Sequence, residues 1–473
     1  MNKLFSLLLC LSLSIAIQGQ NRLAEQLDNL IANRLETGSD VGILAVDLQS
    51  GDTLYRYRAD KLSRPASTMK LVTTITTLAR PEGFEPFRTE VWSRGEVRGD
   101  TLVGDLYVVG GMDPEFDDAA LDTLVSRLAG LPFRTVSGRL YGDVSLRDSV
   151  YWGAGWSWDD TPYYYQPYLS PLMLHKGVVE VEAMPTAPGD SAILRCTPAS
   201  SYYTLCNATR SRTPSAGRFS VSRNWLENGN DVVVQGNVTA RSTGTVNIFG
   251  SAEFFLHTLQ ERLEAKGFQW SEPYALAELP RDGAEQLVAL YETPIQQVVD
   301  QLMKESDNLN AEAMLTRLGA ISSGHRHLSA EEGLTAIREQ IKALGHDSDR
   351  YRVADGCGLS NYNALSPELL VSYLRFAYSR TDLFRSLYKS LPVAGVDGTL
   401  EYRMTKGTPG YQNVHAKTGT ISGISCLAGY LRRADGHLVA FAIMNQNVRS
   451  SRAARQLQDA VCEALIKEVV SNN

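Results

Sequence analysis

The chain has 473 residues, 43% of them hydrophobic and 21% charged, with a formal charge of −7; this is room for two or three domains around a large core, and an ordinary globular composition. The acidic balance excludes the basic face of a nucleic-acid binder, and no basic run or basic amphipathic stretch suits an anionic membrane surface. Once Cys10 is set aside, five cysteines remain with no CxxC pair, so neither a zinc cluster nor a disulfide framework is indicated; Cys196 and Cys206 flank a short segment that could bridge in an oxidising compartment.

Lys3 and the apolar stretch Leu4 to Ile17, followed by Gln18-Gly19-Gln20, read as a cleaved secretory signal over residues 1–19. The run is too short for a comfortable membrane span, and an uncleaved anchor is the alternative. From Arg22 to Arg34, Leu23, Leu27, Leu30 and Ile31 recur at helical spacing. Val41 to Val46 and Leu54 to Tyr57, joined across Gln49-Ser50-Gly51-Asp52, predict a β-hairpin. Met69, Val72, Ile75 and Leu78 then recur as one helical face, with Pro65 suited to the helix entry. Ser67 falls in the first turn and Lys70 shares its face. After Arg80, from about Glu82 to Glu278, short β-like runs (Leu102 to Val109, Gly138 to Val144, Val178 to Ala183, Val232 to Val238) are separated by Gly, Asp, Pro and Ser clusters. Helical runs interrupt them at Leu121 to Leu131 and Glu253 to Lys266. Tyr151 to Tyr168 is dense in Trp and Tyr; a loop whose rings fill a junction is preferred to a stacking surface for sugar or peptide.

From about Ala284 the helical texture returns. The stripe Ile295, Val298, Val299, Leu302 stops at Glu305-Ser306-Asp307-Asn308, and Ala311 to Leu318 resumes a helix, so Ser306 to Asn308 lies on a tight connection where Asp and Ser also suit a cap. Ala330 to Leu344 and Pro367 to Tyr378 are helical. Between them Asp355-Gly356-Cys357-Gly358-Leu359-Ser360 forms a glycine-rich loop whose backbone can approach something closely. Val414 to Lys417 reads as a strand with Thr418-Gly419-Thr420 behind it. Leu427 to Leu431 and Leu438 to Met444 form a hairpin across Arg433-Ala434-Asp435-Gly436, and Ala453 to Val469 is a closing amphipathic helix. The expected fold is α/β (α+β): one antiparallel sheet flanked by helices, built from residues 20–81 and 284–473. Residues 82–283 are an inserted β-rich region of two subdomains.

Three short patterns occur in order: Ser67-Thr68-Met69-Lys70, Ser306-Asp307-Asn308 and Lys417-Thr418-Gly419. The first two are individually common; Ser386 and Lys389 repeat the SxxK spacing. Together, in a helix, a loop and a strand, they form the SxxK, SDN and KTG trio of serine β-lactamases and penicillin-binding proteins. The chemistry they suit is acyl transfer. Ser67 attacks a carbonyl and needs a base for its proton. Lys70 serves only when neutral, so its pKa must fall from about 10.4, by burial and by a second cation for which Lys417 is the candidate. Ser306 and Asn308 suit proton relay to the leaving amine and a hold on the substrate amide. Lys417 and Thr418 suit a terminal carboxylate. Gly419 admits close approach, and the backbone N–H groups of Ser67 and Thr420 suit an oxyanion.

The chain resembles the class C low-molecular-mass penicillin-binding proteins, the D-alanyl-D-alanine carboxypeptidase/endopeptidase family. Beyond the trio, the resemblance lies in Pro65 to Leu71, Asp105 to Gly111 with Asp113-Pro114, Gly138 to Asp143 with Ser145, Trp156 to Asp160, Glu305 to Asn308 with Ala311-Glu312, Asp355 to Ser360, and Leu391 to Leu400. It covers nearly the whole mature chain, and the long insertion between the first two motifs is the family's hallmark. The resemblance implies a penicillin-binding transpeptidase/β-lactamase-like fold. It also implies a periplasmic, penicillin-sensitive serine DD-peptidase acting on peptidoglycan stem peptides or cross-links, with β-lactams as acylating inhibitors and no metal or cofactor. Catalysis then falls to Ser67, Lys70, Ser306 and Asn308, and substrate binding to Lys417, Thr418, Gly419 and Thr420. The chain departs from the family at Cys357, where serine is usual, and at Asn361, where arginine is common; Leu169 to Leu172 with His175-Lys176 only loosely matches an asparagine-rich segment. The rivals fit less well. A serine β-lactamase of class A carries a deacylating glutamate, and no Glu-x-x-Leu-Asn lies between Asn308 and Lys417. A silent peptidoglycan-binding module has no need of Lys70, and a zinc peptidase lacks its HExxH.

Overall fold

The computed structural model describes residues 22–467. The signal expected over residues 1–19 lies outside the described residues, as do the last residues of the expected closing helix. The described residues divide into two compact units, one of residues 22–83, 299–318 and 333–467, the other of residues 84–298 and 319–332.

The first unit is organised on a five-stranded antiparallel sheet. Its helices and strands in chain order are α1 (residues 22–34), β1 (Asp40–Asp47), β2 (Thr53–Tyr57), α2 (Met69–Leu78), α3 (Ile295–Lys304), α4 (Asn308–Ser323), α5 (Ala330–Ala343), α6 (Pro367–Tyr378), α7 (Thr381–Ser390), β3 (Val414–Ile421), β4 (Ile424–Arg432), β5 (Leu438–Gln446) and α8 (Ser451–Lys467); unit boundaries fall within α3, α4 and α5. The sheet order is β3-β4-β5-β1-β2, so the amino-terminal hairpin pairs with the carboxy-terminal strands, Val41 standing opposite Asn445. Central strands covered on both faces read as near-continuous apolar runs; every residue of β5 is buried, and its apolar run gives way only at Asn445 and Gln446. One face carries α1 and α8, whose Leu23, Leu27, Leu457, Val461 and Leu465 form a core with Ile43, Leu427 and Phe441. On the same sheet the Tyr430 hydroxyl donates to the Leu374 carbonyl of α6 (2.8 Å). Helix α7 was not expected from the sequence. It holds the second SxxK pair, with Ser386 buried and Lys389 exposed.

The second unit holds a seven-stranded sheet, whose longest strands are Phe87–Arg98, Thr101–Gly110 and Glu285–Thr293, and two three-stranded sheets. Helices Asp118–Leu128 and Ser251–Glu264 pack Leu121, Leu124, Phe254, Phe255 and Leu259 against strand residues such as Leu106 and Val232. Glu285–Thr293 pairs with Phe87–Arg98, which carries this unit past the expected boundary at residue 283. In the aromatic stretch, Tyr168 is buried against Tyr151, Trp152 and Phe249, while Trp158, Tyr163 and Tyr164 are exposed. Cys196 and Cys206 do not bridge; all five described cysteines are free thiols. Among the described residues no helix is long and apolar enough to cross a membrane.

Candidate active site

Ser67 stands on a tight 3₁₀ turn, Ala66–Thr68, that runs directly into α2. Thr68 closes the turn through its hydroxyl and amide, both donating to the Pro65 carbonyl (2.7 and 3.2 Å). Ala66 has φ +46°, a left-handed conformation that a residue with a Cβ adopts only when its surroundings enforce it. The Gly358 Cα, itself at φ +84°, sits so close to the Ala66 carbonyl that a Cβ there would lie 1.9 Å from it. Backbone of the glycine-rich loop therefore packs on the turn beneath the serine. Ser67 remains partly exposed.

Lys70 lies one helical turn on, with no exposed surface. Its Nζ donates to Ser67 Oγ (3.1 Å), Asn308 Oδ1 (2.6 Å) and the Cys357 carbonyl (2.8 Å). Two of these three partners can only accept. When the amine is neutral, its two N–H bonds go to Asn308 and Cys357, and the lone pair is left facing the Ser67 hydroxyl. Burial lowers the Lys70 pKa; Cys357, Asp355, Asp307 and Glu312 act in the opposite direction. The Lys417 pKa falls well below the ordinary lysine value, through burial and then through Lys70. Repulsion between two like charges is mutual, so Lys417 is a neighbouring cation for Lys70 as the sequence suggested, with burial the larger cause at both residues.

The Cys357 carbonyl is held in place by two buried carboxylates. Glu312 accepts the amides of Gly356 and Cys357 (both 2.9 Å). Asp355 accepts those of Gly358 (2.8 Å) and Ser360 (2.6 Å) and the Asn363 side-chain amide (2.7 Å). Sequence reading singled out this loop for close backbone approach but not for its part at Lys70; a backbone acceptor has no residue-type signature. For the same reason the cysteine at 357 leaves the contact with Lys70 intact, since the main chain supplies it. Glu312, Asp355 and Cys357 have ligand atoms within 4.8 Å of one another, as a metal site requires, but the carboxylate oxygens are engaged by loop amides.

Ser306 lies between α3 and α4 and Asn308 opens α4, both partly exposed. Asp307 caps α4, its Oδ1 accepting the Asn310 amide (3.0 Å). Ser306 is held at φ +63°, and its Oγ accepts from Lys417 Nζ (2.8 Å), which also donates to the Thr418 carbonyl (2.8 Å). Lys417, Thr418, Gly419 and Thr420 follow one another along β3, the edge strand. A Cβ on Gly419 would lie 2.7 Å from the Pro65 carbonyl and 3.0 Å from the amide nitrogens of Ser67 and Thr68, so only glycine admits this approach of strand to turn. Thr420 is exposed beside it. The Thr418 hydroxyl is tied to that of Thr399 (2.8 Å), in a loop fastened by the Lys304–Asp397 ion pair (2.6 Å). Thr399 is a contributor that the motifs alone do not reveal. The arrangement offers a hydroxyl nucleophile, a pre-aimed amine, a second hydroxyl on a second amine and an open strand edge.

Comparison with known proteins gives a consistent result. The model of the D-Ala-D-Ala carboxypeptidase 3 (S13) family matches residues 23–467. A D-alanyl-D-alanine carboxypeptidase of Actinomadura sp. (strain R39) is 32% identical over 464 residues, 94% of this chain and 84% of the relative. D-alanyl-D-alanine carboxypeptidase DacB of Haemophilus influenzae is 26% identical over 430 residues, 87% of this chain and 86% of the relative. Among solved structures, penicillin-binding protein 4 from Haemophilus influenzae superposes with a TM-score of 0.79 at 23% identity, covering 92% of this chain and 97% of that one. A predatory peptidoglycan endopeptidase from Bdellovibrio bacteriovorus shares the fold more distantly, with a TM-score of 0.51 at 13% identity over 92% of this chain and 95% of that one.

Proposed function

Because the chain belongs to the D-Ala-D-Ala carboxypeptidase 3 (S13) family, we propose that Ser67 is the nucleophile with which it cleaves D-Ala-D-Ala stems and peptide cross-links of peptidoglycan. The protein is a class C penicillin-binding protein and a serine-type DD-peptidase. The reading of the site rests above all on Lys70: its Nζ is 3.1 Å from Ser67 Oγ, and its other two acceptors are carbonyl oxygens.

The reaction follows from that geometry. Neutral Lys70 takes the Ser67 proton as Oγ bonds to the carbonyl carbon of the penultimate residue. The oxygen of the tetrahedral adduct becomes an anion between the amides of Ser67 and Thr420, each such donor being worth roughly 3–4 kcal/mol. Collapse breaks the C–N bond, and the departing amine receives a proton through Ser306, whose Oγ accepts from Lys417. Water then hydrolyses the ester with the same groups in reversed roles. Thr418 and Thr420 receive the terminal carboxylate on the edge of β3, with the Lys417 charge behind them and Asn308 holding the substrate amide. The leaving amine can belong to a terminal residue or to a neighbouring stem, so carboxypeptidase and endopeptidase products share one acyl-enzyme. A β-lactam is attacked in the same way, but its amine stays tethered and the ester persists. We place the protein in the periplasm, carried across the inner membrane by the signal read in residues 1–19; the bacterial origin of the relatives supports the cell envelope as its place of action.

Labelled penicillin incubated with folded protein is expected to leave one adduct, mapped by peptide mass to Ser67. Folded protein with no adduct, or an adduct elsewhere, overturns the assignment.

A further inference from the structure

In the first unit, on the amino-terminal side of the nucleophile turn, is a cavity of about 460 Å³ lined by Lys61, Ser63, Arg64, Arg352, Tyr362 and Gln446 among others. Three cations and no carboxylate line it, in a chain whose formal charge is −7. Lys61 is paired with Asp40. The two guanidiniums are not paired with carboxylates among the described residues: Arg352 lies 4.6 Å over the Tyr362 ring, and Arg64 is held through its main chain by the Gln446 side chain (3.0 Å to amide and to carbonyl) and the Cys426 thiol (3.6 Å to carbonyl). Ser63 is 5% exposed, and its hydroxyl has no hydrogen-bond partner, an omission that a buried polar group does not tolerate without cost. The cavity floor is rigid: Asn363 donates to Asp355 (2.7 Å) and accepts the Ala354 amide (2.8 Å), tying it to the loop that holds Lys70.

Guanidiniums whose only charge partner is solvent, beside an unsatisfied buried hydroxyl, describe a receptor for an oxyanion. We infer that this cavity binds a carboxylate of the peptidoglycan substrate other than the one at the scissile end, carried on a neighbouring stem. The inference rests on the peptidoglycan reading above. Arg64 stands three positions before Ser67 in the chain, so an anchored stem lies beside the nucleophile turn. Its effect is confined to the polymer: a short soluble peptide or a penicillin has no second stem to place there.

The test separates binding from chemistry. Co-sedimentation of the Ser67→Ala protein with purified peptidoglycan is expected to weaken about tenfold when Arg352→Ala is added, the loss of one charge-assisted pair. It is expected to weaken at least as much when the free carboxylates of the polymer are converted to amides, which also removes the terminal carboxylate read by β3, and Arg352→Ala is expected to cause no further loss on the amidated polymer. With Ser67 intact, Arg352→Ala is expected to react with labelled penicillin at the parental rate. Equal sedimentation with and without Arg352 overturns the proposal, as does loss of acylation in Arg352→Ala, which would place the residue in the support of the fold or of the nucleophile. Absence of acylation in the parent counts against the acyl-enzyme reading alone, and the sedimentation comparison still decides the cavity.

Discussion

Lys70 has three hydrogen-bonding neighbours and, when neutral, two N–H bonds to give them. Only this form can accept the Ser67 proton, so its pKa sets the pH dependence of acylation. Burial lowers it, and the active fraction grows as pH rises through the lowered value. The second-order rate of penicillin acylation is therefore expected to climb with pH and level off below the ordinary lysine value of about 10.4. Lys70→Arg, which is never neutral, is expected to abolish acylation. Lys417→Ala is expected to weaken carboxylate recognition and, by removing a cation beside Lys70, to move the midpoint upward; an unmoved midpoint would leave burial as the whole cause. The stability linkage has the same sign. Below about pH 10.4 the native state holds fewer protons at Lys70 than the unfolded chain, so stability falls as pH falls toward the lowered pKa. At this scale Ser67, Lys70, Ser306 and Lys417 could be singled out because residue type and spacing mark them. The Cys357 carbonyl could not, because any residue there provides one, and Thr399 could not, because its partner lies in another element.

The geometry that makes these side chains a site is set by two backbone approaches, β3 against the nucleophile turn and the loop 355–360 beneath it. Gly419 governs the first. Its replacement by alanine forces a Cβ against the Pro65 carbonyl at 2.7 Å, and β3 must retreat from the Ser67 amide. Gly419→Ala is expected to retain its circular dichroism and to acylate about a hundredfold more slowly, the scale of loss for a misplacement near 1 Å. Acylation at the parental rate would show that the strand need not lie so close. The elements themselves were readable wherever a periodic apolar face met a buried environment: Pro367–Tyr378 was expected with those ends and found with them. Exposed or half-exposed strands such as Ile193–Thr197 and Ser220–Arg223 carry no such alternation, so local pattern did not mark them. Strand Glu285–Thr293 shows the other limit: its partner Phe87–Arg98 is far away in sequence, and its own pattern does not say which sheet it joins.

Closing the first unit requires segments from opposite ends of the chain, since β1 sits between β2 and β5. Loop-closure entropy opposes such distant pairing but grows only slowly with the intervening length, so a large insertion is tolerated if the joined surfaces bury enough apolar area. That area is supplied in part by α1 and α8, where Leu23, Leu27 and Ile31 meet Leu457, Val461 and Leu465 over the sheet. The sequence implied this closure through three strands at one end and two at the other. The placement of α1 and α8 on one face followed only from the coordinates, because amphipathic spacing shows that a helix buries a face and not what it buries it against. Leu27 tests the arrangement away from the chemistry. It is fully buried, touches none of the catalytic groups, and its truncation to alanine leaves a cavity that costs about 2–5 kcal/mol. Leu27→Ala is expected to unfold at lower temperature and lower denaturant concentration, while its folded fraction acylates with penicillin at the parental rate. Unchanged stability would mean that α1 does not close the core. A slowed acylation rate in the folded protein would mean that the core shared by α1 and β3 transmits strain to the site.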